Sequence, residues 1–574
     1  MKFEKKSYTY VFVMSVLSVS LLSCEKLQQP SAIKDVGSSA KLRELTQDER
    51  AQDFDALRVL FKSYYGPYQY KENLLGIKID DLAATLKIKA QQAKSDEEFA
   101  GLVMQFGAKL KDGHVQISIE NTTSGIARYN VPIVVTPIEG HAIIGDISES
   151  LGAFTGFQKG DEILEIDGKP PMDYLPILMQ YKSYARDNSN AHIIAYVFSR
   201  PSYMSDLIPV EKFVHVRVLS QSGNKINSDI PWETTKYSTE LSKLIPNGMQ
   251  DLSVPFADDL NNIIEGHIKQ MGQVDPVFVT VKTQEAFGFT KVYPSDATRA
   301  MFGLALLEKP PIYAAQYTYG GKKILLVREA SYYQRDFSPA IYLKAYMALF
   351  SEFQGAADMM VLDQTHNPGG SYCGDFYNLF ARDSDYQSAE YLHADRKWIA
   401  DLRFQLMPVV KDVVSYDNRT QIAWSMMVEQ AYDQGKNLSE AIPLFTGSAY
   451  AQPAAVTWKK PMLVLIDELA GSCGDMFPML VKSNNRAKLF GQATMGLGGN
   501  VEEVGQLPNS RIHVSMTRGL FFPFHPDREP VAAEFIENNG VTPDYEYKHT
   551  VQDFRSGFVN YVKAFSDKAL EQLK

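Results

Sequence analysis

The chain of 574 residues contains three cysteines, Cys24, Cys373 and Cys473, too few for a disulfide scaffold. No Cys/His cluster has zinc-site spacing. The stretch Ile264-Glu265-Gly266-His267 is not a His-Glu-x-x-His motif, so metalloprotease chemistry lacks ligands. No metal or other cofactor is expected. Blocks of Lys and Arg are missing as well. With 58 basic against 68 acidic residues the formal net charge is −10, which argues against a nucleic-acid partner. The 31 Tyr and 31 Phe are spread along the chain and read as packing residues. No uninterrupted apolar run reaches the roughly 20 residues of a bilayer span.

What is present begins with an address. Lys2, Lys5 and Lys6 precede the uncharged, largely apolar stretch from Tyr8 to Leu22, a secretory signal pattern. Leu21-Leu22-Ser23-Cys24 resembles the bacterial lipobox, whose Cys becomes lipidated and N-terminal. Residues 1–24 are therefore read as a lipoprotein signal peptide and 25–45 as a tether, with Gln28-Gln29-Pro30-Ser31 and Gly37-Ser38-Ser39 as linker chemistry. Residue 25 is Glu and not Asp, so the usual inner-membrane retention signal is absent. The expected location is the bacterial cell envelope, anchored to the outer membrane through Cys24. Cys373 and Cys473 are then left to form one disulfide.

A hydrophobic content of 45% and charged content of 22% are ordinary for a globular protein, and the length predicts two to four domains. Residues 46–120 read as helical, with one helix from Asp53 to Tyr65 stopped by Gly66-Pro67. A second opens with the capping box Ser95-Asp96-Glu97-Glu98. It runs into the turn Lys111-Asp112-Gly113, followed by a strand over 115–119, so His114 is expected at a turn–strand boundary, firmly held yet accessible. Residues 121–220 form a second unit. Its segment Gly156 to Pro170 looks like a PDZ domain, with Gly160 and Gly168 at turns and Ile163, Leu164 and Ile166 feeding a core. Residues 221–320 read as a linker or activation segment. From 321 to 574, apolar runs at 324–327, 359–362 and 462–466 predict buried strands, with helices from Ser338 to Phe353 and Gly474 to Asn484 between them. This is an α/β layer pattern.

Three segments carry chemistry. Ala470-Gly471-Ser472-Cys473-Gly474-Asp475 follows a buried strand and opens a helix, a place where a hydroxyl is exposed beside free helix N–H groups. Asp112-Gly113-His114 offers a base, and Ile536-Glu537-Asn538-Asn539-Gly540-Val541-Thr542-Pro543-Asp544 offers a carboxylate. Between them, Asn367-Pro368-Gly369-Gly370 follows another buried strand, where paired glycines let a backbone N–H face a bound carbonyl. Read singly, each has a plain structural role: Ser472 as a helix N-cap, His114 as a solvated turn residue, Glu537 as a surface charge.

Together and in this order, the segments resemble the tail-specific, or C-terminal-processing, serine peptidases, most of all the branch of the tricorn core and the chlamydial protease-like activity factor. The resemblance spans most of the chain. It implies an α/β multidomain fold with a helical N-terminal region, a PDZ-like β-rich domain and a ClpP/crotonase-like catalytic core. It further implies Ser472 as nucleophile, His114 as general base and Glu537 as orienting carboxylate, with Cys473, Gly370 and Gly369 supplying the oxyanion hole. The Ser/Lys branch carries its lysine 25 residues after the serine. Here that position is Leu497, which cannot take a proton. Residue 113 is Gly where the tricorn type has Ser, and Cys473 is unusual beside the nucleophile.

The expected activity is therefore cleavage of protein or peptide substrates through an acyl-enzyme. The resemblance also implies internal processing and a homodimer. Three other readings remain: a catalytically inactive, peptide-binding lipoprotein scaffold of the same fold; Cys473 as nucleophile paired with His114; and hydrolysis of a non-peptide acyl group.

Overall fold

The computed structural model describes residues 44–119, 126–236, 275–305, 312–333, 338–406, 416–443 and 449–574. The signal segment, Cys24 and nearly all of the tether lie outside the described residues, as does the middle of the 221–320 stretch. Residues 43–574 form one compact unit. No helix among the described residues is long and apolar enough to cross a membrane.

The N-terminal helices form because polar caps and apolar stripes coincide. Helix Gln47–Tyr64 is closed by a capping box between Thr46 and Glu49 and buries Phe54, Leu57 and Phe61. It starts six residues before the expected Asp53. After Gly66-Pro67 a short helix, Tyr68–Leu75, ends on Gly76 in the left-handed region. Helix Asp96–Lys109 is capped by Ser95, which accepts from the Glu98 N–H. The Glu98 carboxylate, however, reaches back to the N–H of Lys94 (2.8 Å) and not to that of Ser95.

Residues 126–236 form two antiparallel sheets. One has five strands in the order Ile133–Ile138, His141–Ile147, Glu162–Ile166, Phe213–Leu219 and Lys225–Pro231. Gly160 and Gly168 take positive φ at the two turns flanking the central strand. Ile163 and Ile166 of that strand are buried, whereas Leu164 is only half-buried. The expected boundary at residue 220 falls in the turn joining the last two strands, which pair along their whole length.

The C-terminal half is built on a seven-stranded sheet, in the order Thr290–Lys291, Tyr313–Tyr319, Lys322–Arg328, Met359–Asp363, Met462–Ile466, Lys488–Gly491 and Tyr545–Glu546. The first three pair antiparallel and the rest parallel. The expected boundary at 321 cuts the hairpin between the second and third strands, so this unit starts earlier than the sequence pattern indicates. Helices Pro339–Phe353 and Cys473–Ser483 connect parallel strands. Their residues Tyr346, Phe350, Phe477 and Leu480 pack on one sheet face, while Phe278, Tyr561 and Phe565 cover the other. A sheet covered on both faces explains the uninterrupted apolar runs.

Two connections bring distant segments to one end of this sheet. Strand Gln116–Ser118, which follows His114, pairs antiparallel with His513–Thr517. Segment 494–498, after the strand Lys488–Gly491, passes between the serine turn and residues 536–540. In it the N–H of Met495 bonds to the Ala470 carbonyl (2.8 Å), while the Gly496 carbonyl accepts from Asn538 (3.1 Å).

Candidate active site

Ser472 ends the turn that follows strand Met462–Ile466 and sits at the N-cap position of helix Cys473–Ser483. Its backbone is at φ 56°, ψ −118°, and its hydroxyl makes no capping hydrogen bond. A non-glycine residue in such a conformation costs about 1–3 kcal/mol and is held there by its surroundings. The capping role is therefore not the one this serine plays. Asp475, fully buried on the first turn, takes the N–H groups of Gly496 (2.9 Å) and Leu497 (3.0 Å). Burial pushes its carboxyl up to about 7.

The Asn367–Gly370 loop lies directly against this turn. The Asn367 carbonyl accepts the Gly471 N–H (3.0 Å), and a Cβ on Gly369 would sit 2.6 Å from the Ser472 Cβ and 2.9 Å from the Cys473 nitrogen. Gly369 and Gly370 have φ of 104° and 141°, which only glycine adopts readily. The two glycines differ in availability. The Gly369 N–H is taken by the Asn367 side-chain oxygen (2.9 Å), whereas Gly370 is held through its neighbour Tyr332, whose N–H bonds the Gly369 carbonyl and whose carbonyl takes the Ser371 N–H.

Cys473 is disulfide-bonded to Cys373, 100 residues earlier. Cys373 opens the short helix that follows the glycine loop, so the bond ties that helix to the nucleophile's helix. A sulfur consumed in a disulfide has no thiolate, and the reading of Cys473 as nucleophile falls for this state.

His114 is buried, at 6% relative exposure, and is less accessible than the turn location predicts. Its turn is built around Asp112, whose carboxylate accepts the His114 N–H (2.9 Å), the Tyr65 hydroxyl (2.8 Å) and the Thr517 hydroxyl (2.7 Å). Burial pulls the imidazole below the usual histidine value, Asp112 works in the opposite direction, and Lys71 adds to the lowering. Gly113 and Gly471, the residues immediately before His114 and Ser472, both face the Leu497 side chain. A Cβ on either would come within 3.0 Å of its methyl groups. Leu497 thus fills the space between the two turns.

Glu537 is fully buried on the same side. One oxygen accepts the Gly498 N–H (3.1 Å), and the other is paired with the ammonium of Lys71. Burial and the facing Asp112 charge push this carboxyl up to about 8, against the pull of Lys71. Nδ1 of His114 has no hydrogen-bond partner, so no direct bond joins the ring nitrogen to the carboxylate expected to orient it. Lys71 and Asp112 are the polar residues that sequence reasoning passed over. Asp112 stood within the quoted Asp-Gly-His motif; nothing in the Tyr68-Gln69-Tyr70-Lys71 stretch signals burial. No group of side chains among the described residues has the makings of a metal site.

Residues 340–547 match the model of peptidase family S41. A protein of Chlamydia pneumoniae is 26% identical over 590 residues, covering 92% of this chain and 91% of its own length. A Chlamydia trachomatis protein is 25% identical over 574 residues, covering 89% and 90%. The structure of mature CPAF complexed with lactacystin superposes with a TM-score of 0.72 at 22% identity, covering 92% of this chain and 99% of that one. The CPAF match establishes a shared mixed α/β multidomain fold. With this family match over residues 340–547, the chain is a serine peptidase.

Proposed function

We propose that the chain is a lipid-anchored bacterial endopeptidase that cleaves peptide bonds through an acyl-enzyme on Ser472. The observation that carries this reading is the strained, uncapped Ser472 at a helix N-terminus, pressed against the Gly369-Gly370 loop. In the proposed reaction His114 takes the hydroxyl proton as Ser472 Oγ bonds to the substrate carbonyl carbon, and the carbonyl oxygen becomes the oxyanion. Collapse of the tetrahedral species breaks the C–N bond, and His114 returns the proton to the leaving amine. Water then hydrolyses the ester by the same route.

The oxyanion is received by the N–H of Cys473 and that of Gly370. Gly369, whose N–H is already engaged, serves by leaving room. One such donor is typically worth about 3–4 kcal/mol of barrier. Burial favours the neutral, proton-accepting imidazole, and the Asp112 carboxylate favours the imidazolium as it forms. With Nδ1 unbonded, Glu537 acts through its charge or a bridging water. The anchor rests on Leu21-Leu22-Ser23-Cys24, and the five-stranded sheet is assigned as the PDZ-like unit on its segment Gly156 to Pro170.

The test is casein cleavage by the purified chain beside Ser472→Ala and His114→Ala. Loss of cleavage in both, with folding retained, supports the reading. Cleavage that survives Ser472→Ala refutes it.

A further inference from the structure

Lys71 does something unusual for a lysine: it is 1% exposed. A buried ammonium is costly unless its donors are met, and here they go to Glu537 and to the carbonyl of Lys111 (3.2 Å). Lys111 belongs to the turn that carries Asp112 and His114. The neighbouring residue grips the same target, since the Tyr70 hydroxyl donates to the Glu537 carbonyl oxygen (3.0 Å). Tyr70 also packs edge-on against Phe535, with ring centroids 5.4 Å apart. One short helix, Tyr68–Leu75, therefore holds both the side chain and the backbone of Glu537.

The charges around this point are few. Lys71 comes from the short helix, Asp112 and His114 from the 111–114 turn, and the Tyr65 phenol from the end of the first helix. Segment 494–498 presents backbone N–H groups, and Asp475 lies behind it on the helix Cys473–Ser483. Lys71 is the cation paired with Glu537, and without it two carboxylates, Glu537 and Asp112, would face each other.

We propose that Lys71 is a further positioning residue of this site, favouring the charged form of the Glu537 carboxylate and fixing its aim. It touches no reacting atom and acts through Glu537. The inference rests on the proposed role of Glu537 in catalysis for its kinetic consequence, but not for its electrostatic one.

Two measurements on the full chain test it. In the first, carboxyl-13C glutamate is incorporated and the Glu537 resonance, assigned with Glu537→Gln, is titrated in the parent and in Lys71→Met. The midpoint is expected to rise by at least about one pH unit on losing the cation. An unmoved midpoint overturns the proposal whether or not the protein turns over substrate. In the second, kcat and KM are followed against pH. Lys71→Met is expected to lose about tenfold in kcat near neutrality, with KM little changed, and to recover as pH rises. Lys71→Arg should retain the parent profile. In a Glu537→Gln background Lys71→Met should cost little more, because the charge it serves is gone. A deficit equal at every pH, or fully additive in the double variant, marks a merely structural lysine and overturns the proposal. If the parent itself proves unable to cleave casein, the proposed function fails while the titration still decides the role of Lys71.

Discussion

Replacing Gly369 with Ala tests the packing of the site at its tightest point. The added Cβ would lie 2.6 Å from the Ser472 Cβ, 2.7 Å from the Gly471 carbonyl oxygen and 2.9 Å from the Cys473 nitrogen. None of these atoms ends a flexible side chain, so none can swing away. Against an ordinary contact of 3.4 Å the shortfall at Ser472 is about 0.8 Å. The φ of +104° adds strain of about 1–3 kcal/mol for any residue with a Cβ. The loop and the serine turn must separate, and a displacement near 1 Å at reacting groups costs on the order of 100-fold. Gly369→Ala is therefore expected to lower the acylation rate about 100-fold, read from single-turnover release on a chromogenic peptide ester. Overall stability should fall by only a few kcal/mol, leaving a folded protein by circular dichroism. A folded variant acylating within threefold of the parent would refute the reasoning, because it would mean that the two loops are not packed as described.

Ser472→Ala and His114→Ala should each remove about 10⁶-fold in kcat, and combining them should add little, as expected of groups that act as one unit. Replacing Cys373 and Cys473 together by Ala opens a 100-residue loop; the chain-entropy model puts the loss at about 5 kcal/mol, read by denaturant melts of oxidised and double-variant protein. Glu390 is buried against Asn500 and Arg518, and burial raises its carboxyl to about 8. A raised carboxyl stabilises the fold below its unfolded value and stops doing so as pH climbs through the folded one. Stability should therefore fall from about pH 4.5 to 8, on the order of a few kcal/mol, and Glu390→Gln should flatten that fall in urea melts. Cys24→Ala should move the protein from the detergent phase to the aqueous phase in a partition assay of expressing cells.

Much of the scaffold was legible because its cause is local. A strand covered on both faces must be apolar throughout, so Met359–Asp363 and Met462–Ile466 declared themselves, and a serine between such a strand and a helix marked the turn. Domain edges were harder. The boundaries expected at 220 and 321 fall in polar, glycine-bearing stretches, yet both are hairpin turns, with Gly223, Gly320 and Gly321 at positive φ. Composition at a turn does not say whether the flanking strands pair.

The site divides in the same way. Ser472, His114, Glu537 and the two glycines lie in motifs with a recognisable order. Lys71 does not, because its burial depends on a carboxylate in the far C-terminal segment, and the adjoining Tyr70 contact spans 467 residues. Asp112 drew no role because two of its three donors, from Tyr65 and Thr517, are remote in sequence. Leu497 was read only as a base that is missing. In the structure it is the apolar spacer between the histidine and serine turns.

The central claim is that Ser472 is an activated nucleophile whose base is His114. Treating the purified chain with a fluorophosphonate and mapping the adduct by peptide mass spectrometry tests this most directly. The account predicts a single adduct on Ser472 that is lost in His114→Ala. An adduct on another residue, or labelling of Ser472 undiminished by His114→Ala, would contradict it.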